Sequence, residues 1–129
     1  MGESFKSFPP SAKASYLRAS AKRGHGDFEG ALIDYNAAIE LRPDWAEAYD
    51  GRGLAKKAKG DVTGALADFD RALELQPQLA STYCNRSEAK RARGDLNGAV
   101  VDCERALRLD PLLAAAVKNR DFWTQILKK

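Results

Sequence analysis

Apolar and polar positions along this chain recur with helical spacing. Between Gly26 and Pro43 the sequence GDFEGALIDYNAAIELRP places apolar residues at Phe28, Leu32, Tyr35, Ile39 and Leu41, close to the repeat of one helix face. The pattern returns as GDVTGALADFDRALELQP, Gly60 to Pro77, and as GDLNGAVVDCERALRLDP, Gly94 to Pro111. Asp27, Asp61 and Asp95 suit the N-cap of a helix, and each closing proline stops the helix it follows. The prediction is three amphipathic helices of about four turns each. Between one proline and the next Gly-Asp lie WAEAYDGRGLAKKAK and LASTYCNRSEAKRAR, periodic segments rich in Ala, Lys and Arg without internal proline. Because Pro43, Pro77 and Pro111 stand 34 residues apart, the predicted unit is a 34-residue helix hairpin.

Three columns of that unit hold only small residues: Ala31, Ala65 and Ala99; Ala38, Ala72 and Ala106; Ala19, Gly53 and Ser87. Small side chains let helices approach closely, and Tyr35, Phe69, Tyr49 and Tyr83 are expected to fill the remaining spaces. A single hairpin cannot bury its own apolar face. Stacked copies can, which gives the repetition its physical purpose.

These residues resemble the tetratricopeptide repeat family, whose 34-residue pattern runs aromatic, Leu-Gly, Tyr, Ala, aromatic, Pro. The central copy supplies Tyr49, Arg52-Gly53, Lys56, Ala65, Phe69, Ala72 and Pro77, so Arg and Lys stand where the family has Leu and Tyr. The resemblance covers Ala12 to Pro111, and Leu112 to Lys129 resembles the terminal solvating helix of such arrays. It implies an all-α, right-handed superhelical solenoid of antiparallel helix hairpins. The expected organisation is an N-terminal tail at 1–11 and a domain at 12–129, with repeats 12–45, 46–79 and 80–113 and a capping helix at 114–129. Trp123, in the column of Ala21, Ala55 and Ala89, is predicted to cover the last apolar edge.

Composition narrows the function. A chain of 129 residues, 44% hydrophobic and 30% charged, fits one soluble domain, and its longest apolar stretch, LLAAAV at Leu112 to Val117, is too short to span a bilayer. The opening MGESFKSFPP lacks the apolar core of a secretory signal, and Lys6 stands where myristoylation needs Ser or Thr, so the expected compartment is cytoplasmic. Phe5 and Phe8 belong either to a flexible tail or to a cover over the first repeat's open edge. Cys84 and Cys103 have neither CxxC spacing nor a neighbouring His, which predicts free thiols and neither metal nor cofactor. His25, alone in a Gly-His-Gly turn, reads as a loop residue. No Ser or Cys has a plausible base and no carboxylates form an acid-base pair, so the chain is not expected to be an enzyme. A net charge of +3 is too small to argue for nucleic acid, and base-stacking aromatics are missing from the basic tracts.

The charged columns point to structure first. Arg18, Arg52, Arg86 and Arg120 recur with the period, as do Asp34, Asp68 and Asp102. They form either an Arg-Asp ladder between helices or an arginine row for phosphate or carboxylate ligands, and the matching acids favour the ladder. Because Arg120 has no aspartate after it, the expected register pairs each aspartate with the next repeat's arginine: Asp34 with Arg52, Asp68 with Arg86, Asp102 with Arg120. The tracts Lys22-Arg23, Lys56-Lys57 with Lys59, and Lys90-Arg91 with Arg93 are read as solvated helix ends that complement the dipole, the alternative being a functional basic edge.

The family resemblance implies a concave groove lined by the first helix of each hairpin, receiving an extended peptide or a helix of a protein partner. Carried onto this chain, its columns are Lys13, Tyr16, Ser20 and Arg23; Glu47, Asp50, Leu54 and Lys57; Ser81, Cys84, Asn85, Glu88 and Arg91; and Lys118, Asn119 and Phe122. Some relatives hold chaperone C-terminal tails with a clamp of Lys, Asn, Asn, Lys and Arg. Here only Asn85 matches, with Asp50, Leu54, Ala115 and Asn119 at the other positions, so no such clamp is expected. The expectation is a non-enzymatic interaction scaffold whose partner carries mixed charge, opposite a basic margin at Arg23, Lys57 and Arg91 and acids at Glu47, Asp50 and Glu88. The alternatives are a self-assembling solenoid and a binder of acidic polymers through the basic edge; no membrane partner is expected and nucleic acid is disfavoured.

Overall fold

A computed structural model describes residues 11–129, so the expectation for Phe5 and Phe8 lies outside the described residues. Among the described residues seven helices follow one another: α1 Ala12–Gly24, α2 Phe28–Leu41, α3 Ala46–Ala58, α4 Val62–Leu75, α5 Ala80–Ala92, α6 Leu96–Leu109 and α7 Ala114–Leu127. They pack as antiparallel pairs, α1 on α2, α3 on α4 and α5 on α6, and each pair docks on the next. The result is a solenoid of helix hairpins with α7 docked on the last pair. None of the described helices is long and apolar enough to cross a membrane.

The punctuation acts as the residues require. Asp27, Asp61 and Asp95 accept from the backbone N–H of Gly30, Gly64 and Gly98 at 2.9, 2.9 and 2.8 Å, capping α2, α4 and α6. Just before these caps the chain turns through Gly26, Gly60 and Gly94, with φ of +85°, +90° and +92°, a region that side-chain-bearing residues avoid. The C-cap of each second helix, Arg42, Gln76 and Asp110, is the residue just before its proline.

The core is a row of clusters along the hairpins, three of them built alike. Tyr35 packs against Ala19, Ala31 and Ala55, and Phe69 against Ala65 and Ala89. In the third, Cys103 takes the aromatic's position and packs against Ala99 and Trp123. The ring has moved across the interface: where the second helix shrinks from Tyr or Phe to Cys, the facing helix grows from Ala to Trp. Tyr49 and Tyr83 do less filling than expected. They are half-buried, with the guanidinium groups of Arg52 and Arg86 each 5.5 Å from their ring centres.

The ladder exists, in a different register. Arg18 pairs with Asp34 at 3.0 Å, Arg52 with Asp68 at 2.7 Å and Arg86 with Asp102 at 2.8 Å, each pair within its own hairpin. The predicted pairing with the following repeat is therefore corrected. The two columns meet at one height inside the antiparallel pair, and Arg120, whose helix is followed by no second helix among the described residues, binds its neighbour Asp121 at 3.1 Å instead. Contact between repeats runs through the same arginines by another route: Arg52 donates to Asn36 at 3.0 Å and Arg86 to Asp70 at 2.9 Å, both on the preceding hairpin. Lys22, Lys56 and Lys90 complete the ladder, reaching Asp34, Asp68 and Asp102 at 2.9, 3.0 and 2.9 Å. One lysine of each basic tract is thus bound into the seam rather than solvated.

Candidate functional site

The first helices α1, α3 and α5 lie side by side and touch in sequence, so their free faces form one continuous surface. Polar side chains stitch that surface between repeats. Asp50 on α3 accepts from Thr82 at 2.9 Å and from Asn85 at 3.0 Å, both on α5. Lys57 on α3 donates to Glu88 on α5 at 3.0 Å, and Asn119 on α7 donates to the other oxygen of Glu88 at 3.3 Å. Burial pushes the Asp50 carboxyl above its ordinary range, with the bonds from Asn85 and Thr82 only partly offsetting it. Two of the three groove acids are therefore committed within the protein.

At the α1 end, the Tyr35 hydroxyl from α2 bonds to Ser20 at 3.0 Å and accepts from Arg23 at 3.1 Å. Tyr16 lies half-buried with its ring centre 4.6 Å from that of Trp45, whose other neighbour is the Arg42 guanidinium at 4.5 Å. Burial, with the neighbouring Tyr35, raises the Tyr16 hydroxyl above its usual titration range. Leu54 is half-buried against the Phe69 cluster. Lys13, Glu47, Ser81, Arg91, Lys118 and Phe122 are exposed.

Cys84 stands apart from the other expected groove residues. It is buried with Ala106 and Ala116, and burial pushes its thiol up to about 11. Cys103 is likewise buried and shifted upward, so both are free thiols with little thiolate at neutral pH. His25 is an exposed C-cap residue of α1. Among the described residues no three His, Cys, Asp or Glu side chains gather as a metal site.

Toward α7 the surface deepens into an open recess of about 460 Å³, bounded by Lys57, Glu88, Arg91, Asn119, Phe122 and Trp123. It adjoins a second of about 410 Å³ that shares Arg91, Phe122 and Trp123 and continues to Leu96 and Ile126. Sequence columns missed Thr82, Trp45, Leu96 and Ile126. Thr82 carried a signal, being the only hydroxyl in the column of Ala14, Ala48 and Ala116. Trp45, Leu96 and Ile126 come from turns and helix ends, where the family's groove columns give no position.

The chain matches a TPR repeat model over residues 19–60 and a tetratricopeptide repeat model over residues 46–79 and 80–111. No curated protein matches it. Its fold is similar to that of the first TPR of Spaghetti (RPAP3) bound to the HSP90 peptide SRMEEVD, with a TM-score of 0.88, 22% identity, and 92% of this chain and 94% of that chain covered. It is similar to the first TPR domain of human RPAP3, with a TM-score of 0.87, 22% identity, and coverage of 91% and 92%. A third likeness is the TPR2B domain of yeast Sti1 in complex with pHsp70, with a TM-score of 0.83, 20% identity, and coverage of 88% and 96%.

Proposed function

Since this chain belongs to the tetratricopeptide repeat family, we propose that it is a non-enzymatic interaction scaffold that receives a peptide or helix of a protein partner on the surface made by α1, α3, α5 and α7. The repeats on this reading are 12–45, 46–79 and 80–113, with 114–129 as the cap. Two of the similar solved structures hold an HSP90 peptide and pHsp70, which supports a peptide or protein as the class of ligand. The observation that carries the proposal is the polar stitching of the first helices. It holds a recessed surface in one shape from α3 across α5 to α7, and such preorganisation lowers the ordering cost of binding an extended segment.

The residues argue against a carboxylate clamp of the kind described for relatives. Asn85, the one matching member, already donates to Asp50, so its amide is engaged within the protein. The two alternative readings have less support. A further hairpin stacking on α7 would need a small residue in the column of Ala19, Gly53 and Ser87, and there α7 carries Asp121. An acidic polymer on the basic edge would have to compete with Asp34, Asp68 and Asp102 for Lys22, Lys56 and Lys90.

The test is affinity capture from the source lysate with the intact chain and with the variant Glu47→Lys, Lys118→Glu, Phe122→Ala, whose three positions are exposed. The expected result is a partner retained by the first and lost by the second, then confirmed by calorimetry with both purified proteins. A partner whose affinity differs by less than about threefold between the two forms, roughly 0.6 kcal/mol, would move the binding surface off the groove.

A further inference from the structure

We propose that the α7 end of the groove is a two-part subsite for a peptide segment in which a large apolar side chain neighbours a carboxylate, the apolar group lying on Phe122 and Ile126 and the carboxylate on Arg91. The proposal rests on the groove reading above and specifies where, and by what chemistry, a partner is gripped.

The apolar half follows from a division of labour on α7. Trp123 is 4% exposed and packs into the core, whereas the adjacent Phe122 is 62% exposed and Ile126 is 45% exposed. Core packing therefore accounts for Trp123, whereas Phe122 joins no core cluster among the described residues. In the same column the earlier repeats carry Ser20, Leu54 and Glu88, so an aromatic at this position belongs to α7 alone. Phe122 stands between the two adjoining recesses and forms a wall of both, which gives an incoming side chain concave contact instead of a flat patch.

The charged half follows from which groups are already satisfied. Glu88, the one acid lining these recesses, is held by Lys57 and Asn119. Arg91 shares both recesses with Phe122, is exposed, and makes no ion pair among the described residues. Lys118, exposed one helical turn before Phe122, adds a second cation to the same helix face. A carboxylate arriving here meets an open guanidinium fork, while a cation would meet Arg91 and the pair-bound Lys57. Arginine is also enriched among the few residues that carry most binding energy at interfaces.

The test uses the whole chain, labelled with nitrogen-15 and followed by amide chemical shifts during titration with synthetic peptides. The ends are acetylated and amidated so that no terminal carboxylate contributes. Three probes share a Gly-Ser frame with a central Glu-Phe-Glu, Glu-Ala-Glu or Lys-Phe-Lys. The expected result is saturable shifts at Arg91, Leu96, Phe122 and Ile126 with the first probe, and affinity at least about fivefold weaker for the other two. Arg91→Glu and Phe122→Ala should each weaken the first probe by about tenfold while the far-ultraviolet circular dichroism stays unchanged. Equal binding of Lys-Phe-Lys, or no saturable shifts up to about 5 mM peptide, overturns the subsite. Shifts confined to the Tyr16 and Asp50 half overturn it too, yet leave the groove reading standing. Shifts confined to the second helices α2, α4 and α6 overturn both.

Discussion

The exchange of ring position between Cys103 and Trp123 makes a prediction whose sign depends on context. Trp123→Ala removes a ring that is 4% exposed and seated on Ala99 and Cys103. Large-to-small changes of this kind cost about 3–5 kcal/mol, and the terminal position of α7, which can fray, places the expectation at about 3. Cys103→Phe alone adds a ring opposite an intact Trp and should cost about 1–3 kcal/mol by overpacking. The double variant rebuilds the arrangement that Phe69 and Ala89 use in the preceding hairpin. Cys103→Phe should therefore be unfavourable in the parent and favourable, by at least about 1 kcal/mol, in the Trp123→Ala background.

Urea unfolding of all four proteins, followed by circular dichroism and fitted with a common slope, gives the coupling energy. If Cys103→Phe destabilises both backgrounds by the same amount, within about 0.5 kcal/mol, the two residues do not share one cavity. The ring exchange would then be coincidence.

The ladder should weaken in proportion to its exposure: Arg86→Ala, at 13% side-chain exposure with two bonds to Asp102, should cost about 2–4 kcal/mol, and Arg18→Ala, at 56%, less than about 1, so equal losses in urea unfolding would contradict a buried ion pair. Burial alone would raise the Asp102 carboxyl, but the hydrogen bonds from Arg86 and Lys90 outweigh it and hold it below the ordinary range; its contribution is present above the unfolded-state carboxylate pKa and is lost as pH falls through the lowered folded value, so Arg86→Ala should lose its penalty in acid. Asp50 behaves oppositely: its raised pKa means that ionisation costs stability as pH rises, so Asp50→Asn should leave the melting temperature unchanged near about pH 3 and raise it at neutral pH, and a uniform shift at all pH values would exclude the linkage. Gly51→Ala would bring a methyl group within 2.5 Å of the buried Tyr35 ring; overpacking of about 1–3 kcal/mol should exceed the helix-propensity gain of about 1, and an unchanged urea midpoint would show that Tyr35 has room to move.

The helices and their stacking were legible because period, caps and stops are local properties repeated three times. The ladder's register was not. Asp34 lies between Arg18 and Arg52 in the chain, and a periodic pattern offers it either neighbour; only the meeting height of the columns inside a hairpin chooses Arg18. The spare Arg120 pointed the wrong way because α7 keeps the first-helix column while, among the described residues, no second helix follows to supply a matching aspartate, and Arg120 pairs with Asp121 instead. The groove columns name exposed residues such as Lys13, Glu47 and Arg91, but they could not show that Cys84 turns into the core or that Asp50 and Glu88 are held by side chains of the next helix. Those contacts depend on Thr82, which breaks the repeat at its column, and on Asn85 and Asn119, which share a column that the first two copies fill with Leu17 and Gly51. Where copies differ, periodicity carries no information about contact.

This division also decides which groove substitutions report on binding. Asp50 joins α3 to α5, and Glu88 joins α5 to both α3 and α7, so changing either alters the spacing of neighbouring first helices along with the surface charge. Lost affinity in Glu88→Ala would mix three effects: the acid itself, the cation released at Lys57 and the loosened seat of Asn119. Arg91 and Phe122 bear no such load, since one is exposed without an ion pair among the described residues and the other projects from a helix already anchored by Trp123. Substitutions there change what a ligand meets while leaving the spacing of the helices alone. Affinity that falls with Glu88→Ala but holds with Arg91→Glu and Phe122→Ala would locate the effect in the shape of the solenoid, and affinity that falls with the latter pair at unchanged stability would locate it in direct contact.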